Sequence, residues 1–240
     1  MSTNLAGKSA LVVGAGGLGG PVLLTLASAG AGRLVLVEDD VVETSNLSRQ
    51  PLFGEADIGQ RKVHAAVRRL RRLFPLVEIE ALDRRFEESN AGNLARSVDL
   101  LVDCSDNFAT KFLANDSAVS AGIPLVHGGI LRYTAQILTI LPGETGCLRC
   151  LFEAPPPEAS VPSCAEAGVL GPLAGLAGAL MGAEAVRLLC GERGFYAGRL
   201  LVYEARSGHS RVVPIRVRED CPLCRTAGEA RRPALTAGER

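Results

Sequence analysis

The sequence predicts an α/β fold with a doubly wound, mostly parallel sheet, extended on one side by antiparallel strands. Three observations predict it. Strands alternate with helices from Lys8 to Ile130, a glycine turn closes the first strand, and beyond Leu131 strand-like segments have no crossover helix directly after them. "KSALVVGA" (8–15) is a short apolar run ending in glycine, as a strand buried on both faces requires. "LGGPVLLTLASAG" (18–30) has helical spacing and a stop at Gly30. "RLVLVE" (33–38) is a second buried strand, ending in acid. A polar loop follows, then the amphipathic helix "GQRKVHAAVRRLRRLF" (59–74), which halts before Pro75. "VEIEAL" (77–82) is a strand, "EESNAGNLARS" (87–97) a short helix, and "VDLLVDCSD" (98–106) a strand that again ends in acid.

The helix "NFATKFLANDSAVSAG" (107–122) and the strand "IPLVHGGI" (123–130) complete the alternation. "RYTAQILTILPG" (132–143) has strand character with no helix behind it, and "LLVYEARSGHSRVVPIRV" (200–217) reads as a hairpin turning at Ser207–Gly208. Between them lie a Pro-rich loop (153–163) and an apolar helix over 170–190. The loop is too short for a domain linker, so residues 1–224 are expected to form one domain. The tail 225–240 has little apolar content and is expected to be disordered.

Composition narrows the function. A chain of 240 residues can bury a substantial core. Lysine plus arginine balance aspartate plus glutamate at 26 each, which argues against broad electrostatic binding to nucleic acid or membranes. The apolar run 167–186 contains Pro172, several glycines and Glu184, and reads as a buried or interface helix rather than a membrane span. No basic segment followed by an apolar run opens the chain, so no leader is expected. Seven cysteines in a chain that reads as cytoplasmic point to metal binding or thiol chemistry rather than a disulfide framework. "RRLRR" (68–72) is a solvated helix face, and His64, His127 and His209 lie in different elements and make no ligand pattern.

"GAGGLG" follows the first strand and opens the first helix. Gly14, Gly16 and Gly19 permit a tight turn, close approach of backbone to phosphate, and close helix–strand packing, while the helix N-terminus offers free N–H groups. Glu38, nineteen residues beyond Gly19 at the end of the next strand, is placed to accept hydrogen bonds from ribose hydroxyls. These features make the motif Rossmann-like and suit a mononucleotide or a dinucleotide; Glu38, Asp39 and Asp40 make a 2′-phosphate unwelcome. The loop "ETSNLSRQ" (43–50) favours ATP. Arg49 and, beyond "DIGQ", Lys62 one turn into the next helix bring two cations to the mouth of the sheet, where they suit a triphosphate whose charge grows on the leaving pyrophosphate. Asp106 in "DCSDN" is placed to hold Mg²⁺ directly or through water.

"CLRC" (147–150) and "CPLC" (221–224) are two C-x-x-C knuckles. Cys147, Cys150, Cys221 and Cys224 together make a tetrahedral four-sulfur site for a structural Zn²⁺, with a redox dithiol or fortuitous spacing as the rival readings. Cys104 and Cys190 read as small buried hydrophobes.

"GAGGLG", "SNLSRQ", "GQRK", "DCSDN", "CLRC", "CAEAGVLGP" and "CPLC" occur in the order seen in the ThiF/MoeB/HesA family, relatives of ubiquitin-activating E1 enzymes, and the resemblance runs from Lys8 to Cys224. It implies that Gly17, Glu38, Ser45, Asn46, Arg49, Lys62, Asp106 and Asn107 bind ATP and magnesium. It also implies adenylation of the C-terminal glycine of a small ubiquitin-like sulfur-carrier protein (ThiS/MoaD-like) ending in Gly–Gly, before thiocarboxylation by a sulfur donor. A homodimer is implied too, with the small residues at 171–182 as a plausible interface. Cys164 matches the family cysteine that links covalently to the carrier or relays sulfur. The sequence departs from the family where Glu38 stands for the usual Asp, where Lys111 stands for an arginine common after "SDN", and in having no Arg-containing segment ahead of its first strand. An NAD-linked oxidoreductase, a zinc-braced nucleotide-binding module without turnover, and an enzyme that activates a tRNA base carboxylate remain alternative readings at this stage.

Overall fold

A computed structural model describes residues 5–157 and 168–225. Cys164 and nearly all of the tail expected to be disordered lie outside the described residues. The chain forms eight strands, β1 (Ser9–Val13), β2 (Arg33–Val37), β3 (Glu78–Leu82), β4 (Leu100–Asp103), β5 (Leu125–Leu131), β6 (Thr134–Ile140), β7 (Arg199–Glu204) and β8 (His209–Pro214). Six helices are described: α1 (Gly19–Ser28), α2 (Lys62–Leu73), α3 (Glu88–Arg96), α4 (Phe108–Ala121), α5 (Leu148–Leu151) and α6 (Gly171–Leu189). They make one sheet of order β3-β2-β1-β4-β5-β6-β7-β8. The first five strands are parallel and the last three join antiparallel.

The expected alternation and its change of character at Leu131 are both present. Successive residues of the central strands serve opposite faces, as a pleated strand dictates. Ala10, Val12, Leu34, Leu36, Leu100 and Val102 form one core with α1, α2 and α6. Leu11, Val13, Val35, Val37 and Leu101 form the other with α3, α4 and the cysteine knuckles. This two-sided burial explains why β1, β2 and β4 read as continuous apolar runs.

The apolar helix α6 lies against α1. A Cβ on Gly178 would come within 2.5 Å of the Leu18 carbonyl oxygen, and one on Gly182 within 2.7 Å of Thr25 Cβ. These two glycines are therefore used inside the chain, while Pro172, Leu176 and Ala179 of the same stretch are exposed. By length and composition α6 is the one described helix apolar enough to cross a membrane, and half of it is buried here. Of its two charged residues, Glu184 is buried and accepts hydrogen bonds from Thr139 Oγ1 (2.8 Å) and the N–H groups of Phe195 (2.7 Å) and Tyr196 (2.9 Å). A carboxylate so partnered ties α6 to β6 and to the segment leading into β7, and its three hydrogen bonds offset the cost of its burial. Cys190, expected to be buried, is exposed because the helix ends there.

Candidate functional site

The strand order reverses direction at β1, between β2 and β4, and a ligand cleft is expected outside the carboxyl ends of the strands at such a point. The register places Val37, Val13, Asp103 and His127 side by side across β2, β1, β4 and β5. The residues that follow them, Glu38, Gly14, Cys104 and Gly128, therefore form one row at the sheet's edge. Above it opens a cleft of about 1640 Å³, lined among others by Gly14, Gly16, Gly17, Glu38, Arg49, Lys62, Asp106 and Asn107.

The glycine turn meets its geometric demands. Gly14 has φ +95°, and a Cβ on Gly19 would sit 1.9 Å from the Gly14 carbonyl oxygen, so the turn cannot close around a side chain there. A Cβ on Gly17 would meet Ala174 of α6 at 2.9 Å and the Arg49 carbonyl at 3.0 Å; its smallness lets α6 and the 43–50 loop close on the turn. Leu18 at the N-cap of α1 supplies no side-chain cap. The N–H groups of Gly16, Gly17 and Leu18 donate to no acceptor among the described residues. Three free amides at a helix N-terminus are an anion site.

Glu38 stands beside this turn. Its Oε2 accepts from the Ala15 N–H (2.8 Å) and its Oε1 from the Asp40 N–H (3.0 Å), which fixes the carboxylate and leaves lone pairs toward the cleft. Burial raises its pKa above the ordinary value, while the Ala15 amide and Lys62 pull it down. Lys62 is the first residue of α2 rather than one turn into it. The residues before it are spent on a turn of 3₁₀ helix at Glu55–Asp57 and an isolated bridge between Val41 and Arg61. The start of the helix buries the Lys62 stem, and its Nζ pairs with Asp40 Oδ2 at 2.9 Å.

Ser45 and Asn46, expected at the nucleotide, lie in the same loop as Arg49, Ser45 exposed and Asn46 buried. The Ser45 carbonyl accepts from Arg49 Nη1 (2.9 Å), and buried Asn46 Oδ1 accepts from the Glu43 N–H (3.1 Å). Together they shape the turn that presents Arg49. Asn107 caps α4, its side chain accepting from the Thr110 N–H at 2.9 Å, and this leaves Asp106 exposed on the cleft floor. Gln50, overlooked in the sequence, also lines the cleft; it is buried, and its Oε1 has no partner among the described residues.

A second group escaped sequence reading. Asp103 is fully buried beneath the Asp106 loop. Its Oδ1 accepts from Ser105 N–H (3.0 Å) and Oγ–H (2.5 Å), and its Oδ2 is 2.7 Å from His127 Nδ1 and 3.4 Å from Lys111 Nζ. Lys111 also donates to the carbonyls of Ser105 (2.6 Å) and Gly128 (2.6 Å), clamping the β4–α4 loop to β5. The side chain that replaces the family's arginine thus turns inward. These residues lie far apart in sequence, and only strand register brings them together.

Burial alone would raise the pKa of Asp103, but Lys111, His127 and Ser105 hold it well below the ordinary carboxylate value. Burial lowers His127 below 6.5, with Lys111 adding to the fall and Asp103 opposing it. The unfolded chain therefore takes up that proton more readily. The stability this provides is complete above pH 6.5 and is lost as pH falls through the lower folded value. Denaturant unfolding from about pH 8 down to about pH 5 is expected to show falling stability, with a shallower slope in His127→Gln. The Asp103 contribution is lost only further down, below 3.8.

The knuckles sit apart from the cleft, on the α4 side of the sheet. Cys147 caps the start of α5, which the sequence did not announce, Cys150 lies within it, and Cys221 and Cys224 follow β8. The sulfur–sulfur distances are 4.0 Å for Cys147–Cys150, 3.8 Å for Cys147–Cys221 and 3.5 Å for Cys150–Cys224. The edge of a tetrahedron with zinc–sulfur bonds of about 2.3 Å is about 3.8 Å, so four thiolates so placed fit that ion. The Arg218 N–H points at Cys150 Sγ (3.4 Å), as an outer hydrogen bond to a metal-bound thiolate does.

A switch-point cleft with free amides, two basic side chains and a carboxylate, in a chain that also carries a four-cysteine cluster able to hold a metal, defines a nucleotide-binding α/β enzyme. The chain belongs to the ThiF family, whose model matches residues 2–225. It is 48% identical over 221 residues to a Thermus thermophilus protein named sulfur carrier protein adenylyltransferase, covering 90% of this chain and 82% of that one. A Haloferax volcanii protein named SAMP-activating enzyme E1 is 43% identical over 93% of this chain and 83% of its own length. The mouse adenylyltransferase and sulfurtransferase MOCS3 is 44% identical over 92% of this chain, which spans only 48% of it. Among solved structures, Escherichia coli MccB with MccA-N7isoASN superposes with a TM-score of 0.82 at 21% identity, over 93% of this chain and 68% of that one, a likeness of fold.

Proposed function

We propose that this protein uses ATP to adenylate the C-terminal glycine carboxylate of a small ubiquitin-like sulfur-carrier protein ending in Gly–Gly, preparing it for thiocarboxylation. The observation that carries this reading is the cleft itself, where the free amides of Gly16, Gly17 and Leu18 share one wall with Arg49 and Lys62, and Asp106 also faces the space. Names of relatives that share most of the chain support the carrier as substrate. The carboxylate attacks the α-phosphorus in line, the bond to the pyrophosphate oxygen breaks, and pyrophosphate departs. No protein base is needed, since the nucleophile is already ionised. Arg49 and Lys62 offset the charge that grows on the leaving group. Glu38 orients the ribose, and Ser45 and Asn46 act by holding Arg49. Asp106 with Asn107 beside it would hold Mg²⁺; one cleft-facing carboxylate suits an ion that takes its other ligands from phosphates and water, and the ion neutralises phosphate charge.

The four cysteines would hold a structural zinc, which favours the reducing cytosol. We extend the proposal to residues 1–224 as one adenylation domain, to a homodimer, and to Cys164 as a site for a covalent link or sulfur relay. Exchange of labelled pyrophosphate into ATP, dependent on a small ubiquitin-fold protein ending in Gly–Gly from the same genome, is the expected result. No exchange with any such protein would overturn the proposal.

A further inference from the structure

Arg132 is the one non-glycine residue with a positive φ among the described residues, at +55°. It sits in the two-residue turn between β5 and β6, where Leu131 pairs with Thr134. L-residues are disfavoured in this region and glycine is not. The backbone is held there from outside the hairpin. The Arg132 N–H donates to the Gly168 carbonyl (3.1 Å), and the Arg132 carbonyl accepts from the Leu170 N–H (3.2 Å). Glycine would make both bonds without strain. The reason for an arginine must therefore lie in its side chain.

That side chain is exposed, lines the cleft, and has no hydrogen-bond or ion-pair partner in the described chain. The segment it pins leads directly into α6. A Cβ on Gly171 would come within 2.3 Å of the Ser48 carbonyl, and Ala174 packs on Gly17. The strained turn is thus tied within a few residues to Arg49 and the glycine turn. At the neighbouring tip, the Ala205 N–H donates to the Tyr133 carbonyl (2.8 Å), and the Arg206 guanidinium lies over the Tyr133 ring, 4.1 Å from its centroid. Glu204, which also lines the cleft, is already engaged by Thr134 Oγ1 (2.9 Å) and the Arg206 N–H (3.1 Å).

We infer that Arg132 is a substrate-binding residue whose guanidinium takes an oxyanion brought in by a substrate, either a carboxylate of the polypeptide or a phosphate of the nucleotide. The inference rests on the adenylation reading. The test compares Arg132→Gly, which removes both cation and strain, with Arg132→Gln, which removes the cation and keeps the strained residue type. Pyrophosphate exchange is measured with the carrier that supports it in the unaltered protein. Loss of a charge-assisted bond predicts a rise in one KM of about tenfold in both variants. A rise for the carrier assigns the carboxylate, and a rise for ATP assigns the phosphate. Arg132→Gly is also expected to unfold at a temperature no lower than the unaltered protein.

Unchanged KM values for both substrates in Arg132→Gly would overturn the inference, as would a fall in its melting temperature, which marks a structural role. Exchange must first be seen in the unaltered protein, so failure of the adenylation reading shows before either variant is made.

Discussion

Arg49→Ala and Lys62→Ala are each expected to reduce carrier-dependent pyrophosphate exchange by about 10²–10³-fold, the usual loss when one preorganised group opposite developing charge is removed. The stability of the two variants should change little, for a reason the geometry supplies. Arg49 spends one N–H on the carbonyl of exposed Ser45 and otherwise faces the cleft, so truncation leaves no buried acceptor stranded. Lys62 pairs with Asp40, whose side chain is 66% exposed, so water takes over the freed carboxylate. Thermal unfolding beside exchange kinetics separates the two effects. The nucleotide should still bind to the amides of Gly16, Gly17 and Leu18 in each variant, more weakly and with little turnover. Exchange within a few-fold of the unaltered enzyme in either variant would remove the electrostatic basis of the mechanism.

Stripping the metal from the cysteine cluster should have the largest effect on stability. Cys147, Cys221 and Cys224 are buried within one of the two cores, and their partners come from segments joined only through β7, β8 and α6. Four thiols left without an ion in such a space repel as thiolates or sit poorly hydrogen-bonded as thiols. A structural zinc in a small peptide contributes about 10–16 kcal/mol of binding free energy, and part of that becomes folding free energy here. Purified protein should contain about one zinc per chain, and Cys221→Ala or a strong chelator should lower the melting temperature by about 10 °C or more. Full stability after complete metal removal would show that packing alone holds the knuckles.

Much of the site was readable from the chain because local chemistry repeats along it. A glycine turn needs glycines, a strand buried on both faces needs an unbroken apolar run, and two C-x-x-C turns advertise thiolates whatever lies between them. Arg49 and Lys62 were found as the two cations of a polar loop and the helix after it, and Asp106 because it ends a predicted strand. Asp103, Lys111 and His127 were not, because no spacing links them. Their meeting depends on β4 and β5 pairing in one register, Asp103 beside His127, and on α4 laying Lys111 across both.

By itself the sequence determined the periodicities, and with them the order of elements, the row of strand ends that makes the cleft, and the residue types that chemistry at phosphate requires. Only the tertiary structure decided which small residues of α6 are consumed against α1, that the Ser45 carbonyl accepts from Arg49, and that Arg132 is held in a glycine's backbone conformation. Each of these depends on surfaces meeting across long stretches of chain, and a one-dimensional pattern records what a residue can do but not which distant group it will face.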